Sequence, residues 1–88
     1  MPSLSTFYGL IIWMYSELGG RHNKPHIHVE YGDDELVVTL DGEILEGSLP
    51  RGKMKLLDAW MEIHRDELYA NWTLLSRGDR HAKIDPLH

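Results

Sequence analysis

Alternation of apolar and polar positions organises the first half of the chain, and a three- and four-residue recurrence organises the second. From Phe7 to Tyr15 every residue but Gly9 is apolar or aromatic, the pattern of a strand covered on both faces. Gly19 and Gly20 mark a turn. Pro25 sets the start of the next strand, because proline can open a strand but does not sit inside a central one. Residues 26–31 then alternate, with Ile27, Val29 and Tyr31 on one face and His26, His28 and Glu30 on the other. Gly32-Asp33-Asp34 is turn chemistry, and "ELVVTL" reads as a third strand with Leu36, Val38 and Leu40 inward. After Asp41-Gly42, "EILEG" supplies a fourth short strand.

The period then changes. Ser48 stands at an N-cap position, with Pro50 in the first turn where proline is tolerated. Met54, Leu57, Met61, His64, Leu68, Trp72 and Leu75 recur at helical steps. They predict one long helix over about 49–77, or two consecutive helices that break near His64-Arg65-Asp66, closed by Gly78. The tail from 78 to 88 is polar and expected on the surface, anchored by Ile84 and Leu87. The expected architecture is α+β: a small antiparallel sheet of three to four strands, about 5–46, with the helical segment packed on one face.

Composition narrows the class. Eighty-eight residues suffice for one domain, 1–88. An apolar fraction of 42% with 26% charged residues suits a globular protein. No apolar run approaches the roughly 18 to 20 residues of a membrane span, and "YGLIIWMY" lacks the basic start and cleavage site of a signal peptide. Cysteine is absent, which fits a reducing cytoplasm. The net charge of −5 argues against a protein that coats nucleic acid, since that needs a broad positive field. Bases are nonetheless concentrated in "RHNKPHIH" (21–28) and "RGKMK" (51–55).

The histidines of residues 22–28 leave three readings open. One is a solvated strand face. A second is a zinc or copper site through His26 and His28, completed by Glu30, His22 or His64. The third is acid–base chemistry on RNA without a metal. There, one imidazole takes a 2′-hydroxyl proton and another protonates the leaving oxygen. Arg21, Lys24 and Arg51, with Lys53, would hold the phosphate, and Tyr31 or Tyr8 would assist. On the helix, Trp60, His64 and Trp72 form a candidate partner-binding stripe, although aromatic residues at helical spacing are more often core. The apolar first strand predicts a homodimer or tight hetero-complex that covers the second face of the sheet.

An ordered set of motifs runs the length of the chain. Ser5, Phe7, Tyr8 and Gly9 open it, and Pro25, His26, Ile27, His28 and Val29 form its middle. Gly47, Leu49 and Pro50 precede the helix, and Trp60, His64, Asn71 and Trp72 lie within it. This set resembles domain-of-unknown-function family 4160, short bacterial and archaeal proteins. Lys24 departs from the family pattern, standing where many members carry a first proline. The resemblance implies pairing with a neighbouring small protein of domain-of-unknown-function family 2442, in an arrangement like that of toxin and antitoxin. It assigns no catalytic residue. The leading expectation is the toxin-like member of such a pair, a metal-independent ribonuclease using His26 and His28. The alternatives are a non-catalytic module that binds a partner protein or nucleic acid through Trp60, His64 and Trp72, and a histidine-based metal-binding protein.

Overall fold

The computed structural model describes residues 3–15 and 24–88, so the expected Gly19-Gly20 turn lies outside the described residues. The apolar N-terminal run is a hairpin rather than one strand. β1 (Ser5–Phe7) and β2 (Leu10–Trp13) pair antiparallel, with Phe7 opposite Leu10. Between them Tyr8 and Gly9 have φ of 48° and 83°. Positive φ at both central positions is the type I′ turn, whose twist matches that of the flanking strands. Hydropathy hid this turn because Tyr8 counts as apolar. A side chain at position 9 would also bring its Cβ to 2.9 Å from the Tyr31 ring.

The sheet therefore has five strands, not three to four, in the order β1-β2-β3-β4-β5. The remaining strands are β3 (His26–Tyr31), β4 (Asp34–Thr39) and β5 (Ile44–Gly47), and every neighbouring pair is antiparallel. Register fixes what shares a face. Ser5, Ile12, Val29 and Leu36 lie in one row, and Ile27 faces Val38 in the next. All six are buried. Trp13, His28, Val37 and Glu46 form the corresponding row on the opposite face, beside Ile11, Glu30 and Glu35.

Two helices cover the first face: α1 (Arg51–Ile63) and α2 (Arg65–Ser76). Leu57, Trp60, Met61 and Leu68 join the strand residues in one apolar cluster, each large side chain worth about 1.5–3 kcal/mol on burial. The Trp60 ring lies 5.3 Å from Phe7. The helical period breaks at His64 alone, which leaves helical geometry at φ −107°, ψ 22°. The hydrogen bonds from His64 N–H to Trp60 O and from Leu68 N–H to His64 O carry the chain across the break. Asp66 and Glu67 in the first turn of α2 place negative charge where the helix dipole favours it.

The start of α1 differs from expectation. Pro50, not Ser48, occupies the N-cap position, and no side chain caps it. The Ser48 N–H is instead taken by Glu35 O. At the far end, Gly78 N–H bonds Leu75 O and Asp79 N–H bonds Leu74 O, which is the Schellman closure. The tail is tied back at several points. Ala82 N–H donates to Asn71 Oδ1, Ile84 N–H to Leu4 O, and Trp60 Nε1 to Asp85 O.

Burial also departs from the expectation for the first strand. β2 alternates, with Leu10 and Ile12 buried and Ile11 and Trp13 half-buried. The strand covered on both faces is β4, where Leu36 and Val38 are buried on one side and Val37 and Thr39 on the other.

Candidate functional site

The histidine strand does not present a uniform polar stripe. His26 is fully buried, whereas His28 is half-buried and Glu30 exposed. His26 Nδ1 donates to the Lys24 carbonyl at 2.7 Å, since a carbonyl can only accept. Its ring lies 5.1 Å from that of His28 and 5.2 Å from the Trp72 ring of α2. Tyr15, just beyond β2, reaches the His28 ring at 4.5 Å. A sequence of edge contacts thus runs Tyr15, His28, His26, Trp72. Because His26 is enclosed in it, its burial serves to hold the His28 ring and the α2 tryptophan in register.

The other residues singled out in the sequence fall in three places. Lys24 is exposed, and its ammonium pairs with Glu43 at 3.2 Å. Tyr31 belongs to the opposite sheet face, where Lys53 sits 5.0 Å from its ring and donates to Tyr8 O at 2.9 Å. Arg51 opens α1 and is exposed. Arg21, like His22, lies outside the described residues. On the helices, Trp60 is fully enclosed in the core, and Trp72 packs toward His26. His64 donates from Nδ1 to Glu67 Oε1 at 2.7 Å. It also lines an open groove of about 300 Å³ with exposed Ile63 and with Pro86 and Leu87. The structure brings His26, His28 and Trp72 together, and places Tyr31, Trp60 and Lys53 on the helix-covered side.

Zinc or copper through His26 and His28 needs further ligands. Among the described residues there is no group of three or more His, Cys, Asp or Glu side chains placed to hold a metal ion. The Nδ1 proton of His26 is engaged with Lys24 O, so only Nε2 of that ring has a lone pair to offer.

The sequence gave no role to Trp13, Ile11, Val37 or Glu46. Trp13 pairs directly with His28 across β2 and β3. Its Nε1 is shut off from solvent and meets no acceptor, although buried polar groups are nearly always bonded. Strand alternation from Leu10 would have placed Trp13 beside His28, had the Tyr8-Gly9 turn been recognised. At the edge of this region, the Thr39 hydroxyl donates to an Asp41 carboxylate oxygen and receives the Glu43 N–H at 2.8 Å. The Thr39 hydroxyl is the main cause holding the Asp41 carboxyl below the usual carboxylate range, with Lys24 nearby adding to it.

These features define a class: a five-stranded antiparallel sheet with a helix pair on one face and a histidine-aromatic row on the other. Residues 9–73 match the family model described as Domain of unknown function (DUF4160), and the chain belongs to that family. No curated protein and no solved structure matches the chain. No helix among the described residues is long and apolar enough to cross a membrane.

Proposed function

We propose that this protein is a binding module, one half of a cytoplasmic two-protein pair of the toxin–antitoxin type. It engages its partner through the sheet face that carries Trp13, Tyr15, His28 and Val37. The observation that supports this reading is the asymmetry of the sheet. The helices pack on one face, while the other holds half-buried aromatic rings and a tryptophan donor with no acceptor. An apolar and aromatic centre rimmed by polar groups is the usual anatomy of a protein interface. The edges of the sheet are poorer docking sites. β1 has three residues, and the β4–β5 pairing is interrupted between Val37 and Val38, both of which blunt strand addition.

Co-expression with the product of the adjacent gene tests the proposal. A complex should co-purify with the parent chain and be lost with Trp13→Ala, while the variant keeps its fold by circular dichroism. A complex that survives Trp13→Ala unchanged, or none at all, contradicts it.

A second reading retains RNA cleavage, supported by the approach of the His26 and His28 rings to 5.1 Å. Here His28, the more exposed imidazole, acts on the 2′-hydroxyl and His26 positions it. The chain expressed alone would then arrest growth, and His28→Gln would abolish the arrest. Harmless expression of the parent removes this reading.

A further inference from the structure

The second sheet face carries an unusual electrostatic arrangement. Glu30 and Glu35 are directly opposed across β3 and β4, and both are exposed. Like charges in that position are destabilising, and neither makes an ion pair among the described residues. Glu46 stands in the adjacent row, opposite Val37. The described strand residues of this face include no lysine or arginine to balance them. Beside these carboxylates lie Ile11, opposite Glu30, and Trp13, opposite His28. A cross-strand repulsion and an unsatisfied indole donor on one face are local costs that an incoming partner can relieve.

Resting on the binding role proposed above, we infer that the partner docks a cationic, apolar-containing segment on this face, and that a second copy of this chain does not. The segment places Lys or Arg against Glu30, Glu35 and Glu46 and apolar side chains against Ile11 and Trp13. Its backbone carbonyls supply the acceptor for Trp13 Nε1, reached by a shift of a neighbouring side chain. Two arguments select a segment over a self-dimer. Face-to-face pairing of two copies would bring together two sets of the same carboxylates, and like-charge juxtaposition across an interface is strongly disfavoured. The sheet face also measures only about 20 Å by about 20 Å from strand spacing and rise. That is roughly 400 Å², about half of what each side of a standard globular interface buries.

The test uses two synthetic decapeptides, one alternating leucine and arginine and one alternating leucine and glutamate. Each is titrated into the ¹⁵N-labelled chain at low and high salt. The leucine–arginine peptide should shift the Trp13 indole N–H and the amides of Glu30 and Glu35, and bind at least tenfold more weakly to Glu30→Lys/Glu35→Lys. Added salt should weaken it, and the leucine–glutamate peptide should leave these signals unmoved. Equal binding of both peptides, binding of neither, or shifts confined to the helices overturns the inference. The outcomes for the two claims separate cleanly. If the adjacent gene's product binds and is lost with Trp13→Ala, yet keeps its affinity for the charge-reversed chain, the inference fails and the binding role stands. If that product does not bind, the binding role fails.

Discussion

The two faces of the sheet are built from alternate residues of the same strands and carry opposite chemistry. On the helix-covered face, Ile12, Ile27, Val29, Leu36 and Val38 meet Leu57, Trp60 and Leu68, and the one indole there has its acceptor in Asp85 O. On the other face, Trp13 has no acceptor, Glu30 opposes Glu35, and Ile11, Trp13 and His28 are only half-buried. The first face is satisfied within the chain. The second is not, and local rules broken without compensation mark functional surface more often than framework.

The largest expected difference concerns the two tryptophans. Trp60→Ala should cost about 3–5 kcal/mol as a core truncation, and Trp13→Ala about 1–2 kcal/mol, both read from urea unfolding. Phenylalanine sharpens the contrast. Trp60→Phe strands the Asp85 carbonyl and should destabilise, whereas Trp13→Phe removes an unpaired donor and should be neutral or stabilising by up to about 1 kcal/mol. Equal losses at both positions would erase the distinction between the faces.

The two histidines give the next contrast. His26→Ala should cost about 2–3 kcal/mol, since it empties a buried site and leaves Lys24 O without its donor. His28→Ala should cost less than about 1 kcal/mol. A reversed order would mean that His28, not His26, ties Trp72 to the strand.

The smallest effect lies at the rim. The Thr39 hydroxyl helps hold the Asp41 carboxyl below its ordinary range. A carboxyl depressed in the folded state stabilises it above the unfolded-state pKa, and that contribution is lost as pH falls through the folded-state value. In Thr39→Val the contribution is missing at neutral pH. The stability gap between parent and variant should therefore narrow only as acid protonates Asp41, below the usual carboxylate range. A gap that stays constant from pH 7 down to strong acid would show that Thr39 acts through packing alone.

Much of the fold was legible. The period-two pattern of Ile27, Val29 and Tyr31 against His26, His28 and Glu30 gave β3 its two faces, and the helical stripe placed the break at His64. The β1–β2 turn was not legible, because its left-handed corner falls on a tyrosine that looks like strand. That miss shifted attention from β4, the strand covered on both faces, and concealed the place of Trp13 beside His28. His26 shows a different limit. Alternation puts it on the polar side, but α2 comes back in the chain to bring Trp72 against it, a tertiary contact no local period encodes. The inward role of Trp60 followed from helical spacing, while its bond to Asp85 O depends on where the tail runs.

The most direct test of the two-face account is a titration of the adjacent gene's product into the parent chain and into Trp13→Ala. The account predicts that the parent binds, and that the variant, folded and losing no more than about 2 kcal/mol of stability, binds at least a hundredfold more weakly. Undiminished binding by Trp13→Ala would contradict it.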